Sequence, residues 1–220
     1  MTNPGKSVLR IAAMTAVAIV VIGIWVGFWM VAMLPSPAYA NDISGSNSGS
    51  AEIVVRQMLD SIGKLRTTKD SANRAKLISS IDASLALETL SQQALGAQWG
   101  KLDGAGREQF LHLMRELLEK LAYPHASDFF ADLDAQFGRE QPQGARRIVP
   151  TTVKRAEGGA VSINYVLQRT HGQWQVIDIN LDGQSLAQSV TGQIQAVLRQ
   201  SSYSSLIAQM KARLQQQPYS

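Results

Sequence analysis

Two stretches near the middle of the chain restrict its fold more than any other feature. Ala160 to Thr170 and Trp174 to Leu181 alternate apolar with polar positions and are rich in Val, Ile, Tyr and Trp. A period of two over short runs bounded by glycine is a strand signal, so the pair predicts an antiparallel hairpin. Val161, Ile163, Tyr165 and Leu167 share one face of the first strand, and Ile177, Ile179 and Leu181 share one face of the second. A two-residue turn at His171-Gly172 would set those faces against each other. A three-residue loop, His171 to Gln173, pairs Leu167 with Ile177, Tyr165 with Ile179 and Ile163 with Leu181. Because a slip of one residue inverts every side chain, burial selects the second register, with Gly172 supplying the left-handed position. The opposite face then carries Ser162, Asn164, Gln168, Asp178 and Asn180. Trp174, Val166 and Val176 also fall there, which requires partial cover.

The rest of the domain supplies one more long strand and several helices. Arg147 to Arg155 reads as a strand whose Pro150 demands an edge or a bulge, and Leu133–Phe137 as a short one. Ala51 to Arg66 repeats apolar residues at helical spacing. After a polar linker at 67–71, Leu77 to Leu95 does the same, with a break near Asp82–Ser84 and an end at Gly96–Gly100. Asp103 is placed to cap a third helix bearing Phe110, Leu113, Met114, Leu117, Leu118 and Leu121, which Pro124 should end. A short helix or turn is expected around Phe129-Phe130. Helices from Ser185 to Gln200 and Ser204 to Gln216 complete an α+β domain over residues 51–217.

The first 40 residues read differently. Lys6 and Arg10 precede an apolar run from Ile11 to Leu34, and Ala38-Tyr39-Ala40 has the small residues of a cleavage site. A cleaved signal peptide is the leading expectation. The run is nevertheless long enough to span a bilayer, so a retained inner-membrane anchor stands as the alternative. Either way the remainder is exported. Residues 41–50 form a Gly/Ser-rich linker. The formal net charge of +4 falls to about +2 without Lys6 and Arg10, too little for nucleic-acid binding. Cysteine is absent, which excludes disulfides and thiolate zinc sites.

Motifs for nucleotide binding, nucleophilic hydrolysis and zinc catalysis are missing. His112, His125 and His171 are dispersed and expected at the surface. Asp178 and Asp182 share a strand face without a nucleophile or base beside them, so they read as solvated or backbone-capping carboxylates, and Ser185 as an N-cap. Arg139, Arg146, Arg147, Lys154 and Arg155 suit a solvated strand edge, or attraction to anionic head groups or an acidic partner. No cofactor or metal site is expected. What remains is apolar surface, whose periodicity fits a packed core and a hollow one equally well.

Val161-Ser-Ile-Asn-Tyr-Val-Leu, followed by Gly172-Gln-Trp-Gln-Val-Ile-Asp-Ile-Asn-Leu-Asp-Gly-Gln-Ser-Leu, resembles the MlaC family of periplasmic phospholipid-binding proteins, also called toluene-tolerance auxiliary components. Leu95-Gly96 with Trp99, Phe110 and Leu117 upstream, and Leu198, Leu206-Ile207 and Leu214 downstream, extend the likeness over roughly residues 52–214. The chain departs from the family's N-Y-R-x-Q-F run, having Ser189-Val190-Thr191-Gly192-Gln193-Ile194. It also has Asp182 and Gln184 in place of the usual Glu and Val. These departures suggest a divergent branch, such as the hopanoid-associated exported proteins.

The resemblance implies a curved antiparallel sheet packed against several helices and enclosing an apolar cavity. It implies a non-catalytic, monomeric shuttle that carries a phospholipid, or a hopanoid-like lipid, between membranes. Its expected partners are an outer-membrane lipoprotein complex and an inner-membrane ABC transporter with an MCE-type subunit. The sheet side of the cavity is expected from Val161, Ile163, Tyr165, Leu167, Ile177, Ile179 and Leu181, and the helix side from Phe110, Met114 and Leu117. Periplasmic localisation follows, with or without a tether at residues 11–34. An anchored scaffold in envelope lipid homeostasis, with that apolar face as ordinary core, is the alternative. An enzyme acting on lipid- or sterol-like substrates is a third reading, for which the inner face offers only the Tyr165 hydroxyl.

Overall fold

In the computed structural model, residues 50–130, 135–154 and 159–216 are described. The expected signal peptide or anchor, all of the expected linker but Ser50, residues 131–134 and 155–158, and the last four residues lie outside them. Among the described residues no helix is long and apolar enough to cross a membrane.

The hairpin forms as β4 (Ala160–Thr170) and β5 (Gln173–Leu181). The expected three-residue loop is not present, nor is the pairing of Leu167 with Ile177, but the pairings expected further along the strands are. At the tip Thr170 pairs with Gln173 across a two-residue turn, with φ of 51° at His171 and 81° at Gly172. Positive φ at both central positions is the type I′ geometry that suits the strand twist. Further along, Tyr165 pairs with Ile179 and Ile163 with Leu181, the register that burial selects. A bulge between the two zones leaves Ile177 unpaired and sets Leu167 against Val176. This corrects three expectations. Val176 and Trp174 join the main core, whereas Ile177 clusters with Val166 and Ala86.

The sheet is antiparallel throughout, in the order β1-β3-β4-β5-β6, with β2 also on β3. β1 is Ala135–Phe137, β2 Gln141–Gln143, β3 Arg146–Lys154 and β6 Gln184–Ser185. Pro150 lies in mid-β3, where the neighbouring chain passes from β1 to β2. Its carbonyl accepts from the Gly138 N–H at 2.7 Å. In a strand the N–H and C=O of one residue point the same way, so the missing donor of Pro150 faces this interruption.

The helices are α1 (Ala51–Leu65), α2 (Ser71–Ser84), α3 (Leu87–Leu95), α4 (Gly104–Leu117), α5 (Tyr123–Phe130), α6 (Leu186–Gln200) and α7 (Tyr203–Gln215). A 3-10 turn, Gly96–Lys101, follows α3. Asp70 caps α2 by accepting from Asn73 N at 2.8 Å, so that helix starts inside the predicted linker. The caps expected at Asp103 and Ser185 are present, at 2.7 and 3.0 Å.

Pro124 does not end the third helix. The chain passes from α4 through a π turn, Leu118–Ala122, straight into α5. A proline inside an α-helix lacks one donor and crowds the carbonyl four residues back. Here that carbonyl belongs to the widened turn, which has already left the α pattern.

Among the described residues two large apolar cores form, beside the small cluster of Ala86, Val166 and Ile177. The first joins α1, Ile81 and Tyr123 to the inner residues of β3, β4 and β5. The second lies among α3, α4, α6 and α7, around Leu95, Phe110, Ile194 and Leu206. The two halves are linked by Leu85-Ala86, by the π turn and by the β5–β6–α6 connection. Ala86 N–H donates to Val176 O at 3.0 Å, which fixes the first of these links to the sheet.

Candidate ligand cavity

The cores do not merge where they meet. Between them is an apolar cavity of about 200 Å³. Met58 and Ile62 of α1 and Ile81 of α2 form one wall, and Leu85, Leu87, Leu90 and Ala94 continue it along α3. Val176, Asp178 and Ile179 contribute from β5, and Leu186, Ala187 and Val190 from α6. The remaining wall is a stripe spaced four residues apart down α4, the π turn and α5: Met114, Leu118, Ala122 and Ala126. These four are half-buried, whereas Leu113, Leu121, Tyr123 and Ser127 on the adjoining face are buried. Alanine at 122 and 126 leaves width that a leucine would fill.

Polar groups touch this wall at two places. Asp178 Oδ1 accepts from Ile179 N at 2.8 Å and from Ala187 N at 3.0 Å, so the carboxylate holds the first turn of α6 against β5. The Tyr123 hydroxyl donates to Asp82 Oδ1 at 2.5 Å, and Asp82 Oδ2 lies 3.4 Å from Arg115 Nε. Burial, together with the bond to Asp82 and its charge, pushes the Tyr123 phenol far above its usual pKa, so it remains a proton donor. Glu119, one helical turn from Arg115, is also raised, by burial and then by the charge of Asp82.

Of the ten side chains expected at a lipid site, Met114 and Ile179 border this cavity. Val161, Ile163, Tyr165 and Leu167 are enclosed in the first core, and Leu181 packs at its margin. Phe110 is enclosed in the second core with Leu117 beside it. Ile177 is turned away by the bulge. The physical reason is that α1 packs against β3 and β5, and its buried residues share one core with the inner faces of β3 and β4. The void opens instead beside β5, where α1 and α2 meet α3 and α6. The periodicity of α1, α2 and α3 marks Met58, Ile62 and Leu90 as inward-facing, with nothing to separate wall from core.

The other candidate chemistry is structural. Asp182 Oδ1 accepts from Ser162 N at 3.0 Å and Ser185 caps α6, while His112 and His171 are exposed. Among the described residues no group of His, Cys, Asp and Glu is placed to hold a metal. Arg147 lies 3.4 Å from Glu140, and Arg147 and Arg169 stand over the Trp174 ring at 5.4 and 5.0 Å.

A search of curated proteins returns no match. Among solved structures, the chain is similar to the phospholipid-binding protein from Ralstonia solanacearum in complex with a phospholipid. The TM-score is 0.62 at 19% identity, over 76% of this chain and 96% of that one. At that identity the likeness is one of fold. Residues 52–212 match the family model described as MlaC protein. That match runs from the first turn of α1 into the last turns of α7, and the chain belongs to the MlaC family.

Proposed function

We propose that this protein is a periplasmic phospholipid carrier whose cavity between the two cores holds acyl chain. The observation that carries the reading is the cavity itself: 18 residues line it, and only Tyr123 and Asp178 among them have polar side chains. A void so lined gives water almost no partners. An engineered apolar cavity of about 150 Å³ stays dry and takes up benzene. Withdrawing a chain of about 16 carbons from water contributes on the order of 10 kcal/mol, so such a carrier needs few polar ligands. Family membership and the fold shared with a phospholipid-bound protein support the same ligand class. The family is one of lipid-binding carriers, and this chain is not an enzyme.

The cavity is smaller than the roughly 300–1,000 Å³ that encloses a drug-sized ligand. Seating a whole diacyl lipid therefore requires the halves to part at their connections. In this reading residues 1–40 export the chain. The carrier then moves phospholipid, or a related lipid such as a hopanoid, between an outer-membrane lipoprotein complex and an inner-membrane ABC transporter with an MCE-type subunit.

Transfer of a fluorescent phospholipid between donor and acceptor vesicles tests the function. The rate should rise in proportion to added protein. A rate no higher than spontaneous exchange, at protein concentrations exceeding the lipid probe, contradicts it.

A further inference from the structure

Beside the cavity stands a group of charged side chains, Asp82, Arg115 and Glu119, of which Asp82 holds the Tyr123 hydroxyl. Ile81, Met114 and Leu118 line the wall, and the residue after each carries charge: Asp82, Arg115 and Glu119. Tyr123 belongs to both sets, since it lines the wall and donates to Asp82. Arg115 Nε lies 3.4 Å from Asp82 Oδ2, and at 46% side-chain exposure this pair adds little stability. A guanidinium has two further amino groups, suited to a phosphate. Glu119 follows Arg115 by four residues, a spacing that brings helical side chains together. The remaining carboxylate nearby, Glu116, is engaged by Lys120 at 3.1 Å and His112 at 3.5 Å.

The balance of charge selects among head groups. Arg115 offers a cation to a phosphate, but Asp82 and Glu119 place negative charge beside it. A purely anionic head group meets one attraction and two repulsions. A head group with an ammonium two carbons beyond its phosphate ester satisfies Arg115 and Glu119 together. We propose that Arg115 and Glu119, with Asp82 and Tyr123 positioning the arginine, form a rim site for the zwitterionic phosphate–ammonium head group of a lipid whose chain lies in the cavity. This rests on the carrier reading and adds to it a ligand class and the residues that select it.

The test is competition among three lipids of identical acyl chains: phosphatidylethanolamine, phosphatidylglycerol and uncharged diacylglycerol, scored by native mass spectrometry of the loaded protein. The wild type should prefer phosphatidylethanolamine to each of the others by about tenfold, as expected for a charge-assisted hydrogen bond. Arg115→Gln should erase the preference over diacylglycerol, and Arg115→Lys should restore part of it. Glu119→Gln should erase the preference over phosphatidylglycerol. Arg199→Gln, which removes an exposed cation from the last turn of α6, should leave both ratios as they were. Loading without head-group preference in the wild type, or preferences that survive both glutamine substitutions, overturns the rim site alone. Failure of all three lipids to load overturns the carrier reading, and the rim site with it.

Discussion

The Tyr123 hydroxyl donates to Asp82 Oδ1 at 2.5 Å, tying the first turn of α5 to the last turn of α2 beside the cavity. A buried donor held by a carboxylate contributes about 1.5–3 kcal/mol. Tyr123→Phe should lower the unfolding free energy by about that amount in urea titrations. A variant as stable as the wild type would show that the bond is not maintained in solution.

Alkaline pH should weaken the fold. Burial raises the pKa of Tyr123 and of Tyr165 well above the usual tyrosine value, whereas in the unfolded chain both ionise near pH 10. Above that pH the folded state binds more protons than the unfolded state, so stability falls as pH rises. The expected slope is about 1.4 kcal/mol per pH unit for each of the two residues. Replacing both by Phe should remove their share, as read from unfolding free energies between pH 9 and about 11.

Core and cavity wall should respond differently to the same truncation. Leu167 is fully enclosed, and Leu167→Ala should cost about 2–5 kcal/mol through lost contacts and a new void. Leu90 already borders open space, so Leu90→Ala should cost measurably less. Equal losses in chemical denaturation would place both residues in one continuous core.

That contrast also marks how far the sequence can be read. The hairpin was legible because a period of two marks both strands, Gly172 marks the turn, and the burial of Tyr165 and Ile163 constrains the register beyond the bulge. The bulge at Ile177 was not, since Val176 and Ile177 are equally apolar and only the helices covering β5 decide which turns inward. Pro124 pointed to a helix end because the π turn that accommodates it leaves no local signature. For the cavity, the sequence indicated apolar faces and the resemblance indicated a hollow. The sheet residues best marked by alternation, Val161, Ile163, Tyr165 and Leu167, are enclosed in the first core. Met58, Ile62 and Leu90 carry the ordinary helical period, so their place on a void depends on how separate elements meet. Ala122 and Ala126 were the nearest thing to a signal, two small residues in an otherwise large apolar stripe.

Filling that stripe should displace ligand. Ala126→Phe places an aromatic ring into the cavity from a half-buried position on α5. Phospholipid recovered per mole of protein should fall several-fold while the melting temperature holds or rises, because a void is being filled. Unchanged lipid recovery from a folded variant would put the ligand elsewhere.

The most direct test of the cavity as a lipid site is native mass spectrometry of the wild-type protein purified from the periplasmic fraction of a bacterial host, without added lipid. A population heavier than the bare chain by one phospholipid, and lost in Ala126→Phe, is the predicted result. A single species at the mass of the bare chain, with no lipid in its organic extract, would contradict the account.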